Sequence, residues 1–174
     1  MTPFIPNRLA TAVFSMEHIG NAFLQLQGMS LGQREKLADE IHAAQPNLFF
    51  SVLVLNRYGA SSVQLEVVLH LLFVFHLAMK ATGKVWPLVT EDTQERCLTR
   101  LTARMRFIEG LTPEQQETTV KSALVEHREP WMLSFAYGEL KAHGLLGITT
   151  DVEKQLVLAG LNLVECIAAT ARGS

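Results

Sequence analysis

Charge is scarce in this 174-residue chain. Asp, Glu, Lys and Arg make up 18% of it, against about 25% in a typical globular protein. The scarcity is balanced in sign, with 15 basic and 17 acidic residues and a net charge of −2. A nucleic-acid binder normally carries a clear basic excess, so that class is not expected. Cysteine is nearly absent: Cys97 and Cys166 stand alone, without C-x-x-C spacing. Two isolated thiols make no disulfide framework and fit a reducing, cytoplasmic setting. No G-x-G-x-x-G, P-loop, H-E-x-x-H or G-x-S-x-G motif occurs, so no cofactor and no reaction class is expected. The start carries Pro3, Pro6 and only a brief apolar stretch from Leu9 to Phe14, too short for a signal peptide.

What is abundant is apolar. Hydrophobic residues reach 48% and mean hydropathy is +0.18. Such an excess predicts a large core or an apolar surface kept for a partner, here a second copy of the chain. The longest apolar run, Val63 to Met79, is interrupted by Gln64, Glu66, His70 and His76. A spanning helix needs about 20 apolar residues with few ionisable groups, so this segment reads as a buried helix and no membrane association is expected.

No segment alternates as a strand does. Eight helices are predicted: 7–27, 31–45, 46–57, 62–82, 91–109, a sixth starting at 113, 130–143 and 151–171. Their ends are marked by Gly28, Gly59, Gly83, Gly110 and Gly144, and three of them start at Pro46, Pro113 and Pro130. A glycine past the last turn supplies the left-handed residue that closes a helix. Proline at the first position wastes no hydrogen bond. The β-branched run Ser51–Leu55 is assigned to helix, because Pro46 and Gly59 bracket a helical length.

The signals recur. Gly28, Met29, Ser30, Gln33 and Glu35 reappear 82 residues later as Gly110, Leu111, Thr112, Gln115 and Glu117. Ser30 with Gln33 and Thr112 with Gln115 are both capping boxes, in which hydroxyl and amide satisfy each other's backbone N–H. Pro46 pairs with Pro130, Gly59 with Gly144, and Ser61–Gln64 with Thr150–Glu153. Periodicity alone does not require caps, glycines and prolines in one order. The chain is therefore read as all-α, two tandem four-helix units over 7–83 and 90–171 joined by a linker at 84–89. The units are expected to pack as one compact bundle, the alternative being a short HEAT-like solenoid. Both arrangements place the fourth and eighth helices centrally.

Few residues stand out as site candidates. Glu66 and His70 share a helical face four residues apart, as a buried pair. His76 aligns with Glu165 of the second unit, and the two are expected to meet if the units pack through these helices. Asp39 with His42 is the only near match to a Glu-x-x-His metal motif, so no metal is expected. Arg96, Arg100 and Arg104 form a stripe at i, i+4 and i+8 of the fifth helix. Asp92 is placed to pair with Arg96, while Arg100 and Arg104 lack an acid on their own helix. Guanidinium suits carboxylates and phosphates, so this stripe is the candidate for an acidic protein partner or another anion. Cys97 sits early on the same helix, where a thiol pKa falls, but no histidine neighbours it in sequence. Trp86 in the linker and Trp131 at the start of the seventh helix either anchor a partner or plug the gap between units. The leading expectation is a non-catalytic interaction or regulatory protein that self-associates. The alternative is a small-molecule-binding bundle with an apolar pocket between the central helices, His70 and His76 serving as polar handles.

Overall fold

The computed structural model describes residues 11–171. Among these the regular elements are helices: α1 (Met16–Gln27), α2 (Leu31–Ala44), α3 (Pro46–Leu53) with a 3-10 extension over Val54–Tyr58, α4 (Ser62–Ala81), α5 (Glu91–Glu109), α6 (Pro113–Glu126), α7 (Pro130–Ala142) and α8 (Asp151–Thr170).

All four expected capping boxes form, at Ser30–Gln33, Ser61–Gln64, Thr112–Gln115 and Thr150–Glu153. A fifth forms at Ser15–His18, where His18 Nδ1 takes the place of the amide and accepts from the Ser15 N–H. That cap corrects the predicted start of α1. Residues 11–15 are not helical, because Ser15 begins the helix and the Val13 and Phe14 N–H groups are bonded elsewhere; positions 7–10 of the prediction lie outside the described residues. The glycine stops divide. Gly59, Gly83 and Gly144 are left-handed, at φ of 97°, 69° and 71°. Gly28 and Gly110 are right-handed, at −80° and −79°. There the last turn tightens without a left-handed residue, and the glycine N–H bonds back into the helix.

The core is built on α4 and α8, which bury ten and eleven residues and pack on each other. α4 is long and apolar enough to cross a membrane by length and composition, and it lies along the packed axis of this bundle. Around this pair, α1 packs on α4 and α7, α3 and its 3-10 extension reach α8, and α5 runs along α8. In a linear solenoid each hairpin touches only its neighbours. Here the first hairpin touches the last, so the compact arrangement is the one found.

Two buried polar side chains lock the halves together. Gln45 precedes α3 and is 2% exposed. Its amide donates to Pro87 O at 2.9 Å and accepts from the Val89 N–H at 2.9 Å. Glu129 precedes α7 and is 3% exposed. Its carboxylate accepts from the Val13 and Phe14 N–H groups at 2.8 and 3.0 Å. Each half thus clasps the segment that leads into the first helix of the other. The chemistry follows the partners: one donor and one acceptor call for an amide, and two donors call for a carboxylate.

Candidate functional site

Among the described residues the central helices pack closely at Gly160, and none of the five cavities found is lined by α4. A Cβ added to Gly160 of α8 would stand 3.2 Å from Leu71 Cδ1 of α4, so helix meets helix without room for a ligand. The open space lies on the other face of α8, under α6.

α2 and α6 each have fourteen residues. The seventh and eleventh positions of α2 are Leu37 and Ile41, 4% and 0% exposed, and they seat the helix on its neighbours. The same positions of α6 are Thr119 and Ala123, and α6 contributes no fully buried residue. Each lost Leu or Ile forfeits roughly 1.5–3 kcal/mol of burial. α6 packs against α5 and α7, but it lacks the seat on α8 that α2 has on α4.

A trench is left between α5 and α6, floored by α8. At one end is an apolar groove of about 740 Å3, lined by Met105 and Ile108 of α5, Val120 and Leu124 of α6, Tyr137 of α7, and Val157 and Leu161 of α8. Gly138 also lines it, and a Cβ there would meet nothing within 4 Å. At the other end is a polar cleft of about 320 Å3, lined by Arg100, Arg104, Arg128, Glu126, His127 and Glu165 among others.

Glu165 organises the polar end. Its Oε1 lies 3.1 Å from His127 Nε2 and 3.4 Å from an Arg104 guanidinium nitrogen. His127 Nδ1 accepts the Glu129 N–H at 3.0 Å. The Nδ1 lone pair is therefore in use, which assigns the ring proton to Nε2, donating to Glu165. Burial alone would push the Glu165 carboxyl up. The His127 hydrogen bond, with the charges of His127 and Arg104, outweighs burial and holds it below the ordinary range. Burial pushes the Tyr137 phenol up, with Arg104 and Glu165 acting on it in opposite directions.

The sequence-predicted residues separate. Arg100 and Arg104 reach the cleft. Arg96 lies beyond it, on a shallow surface with Thr90, Glu95 and Thr99. Arg96 binds the Asp92 backbone carbonyl at 3.4 Å and Thr93 Oγ1 at 3.4 Å, rather than the Asp92 carboxylate. His70 does not pair with Glu66, which is exposed. Its Nε2 lies 3.4 Å from Glu139 of α7, and its ring packs edge-on against Phe23. Burial keeps the His70 imidazole below its ordinary pKa. His76 does not meet Glu165. Its Nε2 bonds Glu40 of α2 at 2.9 Å, and Glu40 also holds Lys80 at 2.8 Å. The central helices pack through their aliphatic side chains, and His76 and Glu165 each turn out to a flanking element of their own half.

Trp86 is a plug: it stacks on Phe14 with ring centroids 5.4 Å apart and donates to Met79 O at 3.0 Å. Trp131 remains partly exposed, at 37%. The other exposed large apolar residues, among them Met16, Leu31, Phe50, Val63, Val85, Phe107, Val125 and Ile148, fall on α1 to α6, the linker and the α7–α8 loop. Cys97 is buried against the Cys166 thiol, whose pKa burial pushes far up. Its Sγ lies 3.5 Å from an Arg100 guanidinium nitrogen. Among the described residues no three His, Cys, Asp or Glu side chains cluster as metal ligands. Asp39 and His42 are no exception, and the His42 ring packs on Phe49 and Phe50. Sequence reasoning missed His127 and the trench itself, and gave Glu165 a different partner. The signal for the trench was Thr119 and Ala123 standing on α6 where α2 has Leu37 and Ile41. No family model, curated protein or solved structure matches the chain.

Proposed function

We propose that this chain is a non-catalytic, ligand-binding helical protein of the regulatory type, and that the α5–α6 trench is its binding site. One observation carries the reading: the groove of about 740 Å3 over α8 is lined mainly by apolar side chains, with Glu109, Gln116, Glu117, Lys121 and Lys141 also along it, and a polar cleft lies beyond one end. Ligand sites are typically clefts of roughly 300–1,000 Å3, mostly apolar, with a few convergent polar groups. Of the two functions expected from sequence, the trench supports ligand holding over self-association. The polar handles are the arginines and Glu165, in place of His70 and His76.

We read the halves as tandem copies, a view supported by the four paired capping boxes and by the reciprocal clasps of Gln45 and Glu129. On that view α6 is the copy of α2 that gave up its seat and opened a site.

The test is a neutral apolar dye. Nile red should bind one per chain with enhanced fluorescence. Gly138→Leu, which places a side chain in the groove where a Cβ meets nothing, should abolish binding without lowering the melting temperature. Absence of dye binding by the native protein would overturn the reading.

A further inference from the structure

We infer that the ligand is an amphipathic anion, its alkyl body lying along Met105, Ile108, Leu124 and Leu161 and its head group held by Arg100 and Arg104. This rests on the reading of the trench as a ligand site and names the chemistry that site selects.

The two cavities lie end to end. Arg104 lines the polar cleft and Met105, the next residue, lines the groove. On α6, Ala123 and Leu124 divide in the same way. On α8, Leu161 lies one turn before Glu165, the first floor of the groove and the second of the cleft. Tyr137, from the groove, is within the field of both Arg104 and Glu165. From Pro113 to His127 the seam runs about 21 Å at roughly 1.5 Å per residue. One molecule with an apolar body is thus led to the arginines.

The arginines have donors to spare. A guanidinium carries five N–H groups in a fixed fork. Arg100 gives its one hydrogen bond among the described residues to a thiol, a weak acceptor, at 3.5 Å. Arg104 gives one to Glu165 at 3.4 Å and is half exposed. The Arg104 contact is long for charged partners, which close to about 2.7–2.9 Å when the geometry is good. Three arginines line the cleft against Glu126 and Glu165. Glu165 does not depend on Arg104, since His127 Nε2 holds it at 3.1 Å. An incoming carboxylate or phosphate therefore gains the forks of Arg100 and Arg104 without leaving Glu165 unpaired.

Calorimetry on the full chain separates the outcomes, using decanoate, decyl phosphate and decanol below their micellar or solubility limits. Decanoate should bind with one site per chain, and decanol at least about tenfold more weakly, the worth of one charge-assisted hydrogen bond. Arg100→Gln with Arg104→Gln should bring decanoate down to the affinity of decanol and leave decanol unchanged. Arg106→Gln, an exposed arginine outside both cavities, should change neither. Gly138→Leu should weaken all three ligands. Decyl phosphate exceeding decanoate would identify a phosphate head group, and the reverse a carboxylate; either supports the inference. Decanol binding as tightly as decanoate would overturn the inference and leave the trench as a ligand site. No binding by any of the three would overturn both.

Discussion

The two halves of the bundle share the lengths and capping boxes of their second and fourth helices and a clasp each, and differ in how their second helix is seated. In the first half α2 drives Leu37 and Ile41 into the core. In the second, α6 presents Thr119 and Ala123 at the same positions and stands over a groove. The polar pairs differ in the same sense. His76 on α4 bonds Glu40 on α2, whereas Glu165 on α8 bonds His127 at the end of α6. Base and acid have changed places between central and flanking helix. In the first half the pair is closed off by Lys80. In the second it opens onto a cleft with arginines around it. The first half is thus sealed and the second open, a difference that follows two apolar side chains of a flanking helix.

The largest expected effect tests that asymmetry. Ile41→Ala should cost about 2–5 kcal/mol of stability, as fully buried large-to-small changes do. Leu124→Ala, from the wall of the trench, should cost about 1 kcal/mol or less, since only part of the side chain is out of water. Denaturant unfolding measures both, and equal losses would erase the difference between the halves.

The clasps come next. Glu129→Gln places an amide N–H2 against one of two backbone donors, and Gln45→Glu sets a carboxylate against the Pro87 carbonyl. Each should cost about 1–3 kcal/mol, the cost of a buried group left unsatisfied. A neutral outcome for both in denaturant unfolding would show that the clasps do not hold the halves together.

The smallest effect is a pH slope. The Glu165 carboxyl is held below its ordinary range. A group depressed in the folded state adds stability above its unfolded pKa and loses it as pH falls through the folded value. Between about pH 6 and pH 3, the wild type should therefore lose more stability than Glu165→Gln. Glu129 has the opposite sign: burial raises its pKa, its two backbone hydrogen bonds offsetting part of this. Its contribution is fully present below the ordinary carboxylate range and weakens as pH rises through the raised value. Melting curves across that range should show slopes of opposite sign for the two sites.

Much of the fold was legible because helix ends are local. Ser30–Gln33, Ser61–Gln64 and the prolines at 46, 113 and 130 act within one turn, so reading them needs no tertiary knowledge. The start of α1 was not legible in the same way. His18 is an unusual third-position capping partner, and the unwinding of Val13 and Phe14 depends on Glu129, 115 residues beyond Phe14. The arginine stripe could be read as a face of α5. Its division into Arg96 outside and Arg100 and Arg104 inside the cleft could not, because that is set by where α6 ends. The His76–Glu165 expectation failed for a related reason: alignment of two helices says which positions correspond, not which ones face each other. The trench was within reach of the sequence, through Thr119 and Ala123 at the positions of Leu37 and Ile41.

Backbone hydrogen exchange, resolved along the chain, tests the central claim most directly. Helices with few buried apolar contacts open locally, below the cost of global unfolding. The account predicts that α6 amides exchange by local opening while those of α2 exchange only as fast as the core of α4 and α8, and that decanoate slows α6 selectively. Equal protection of α2 and α6 in the free protein would contradict it.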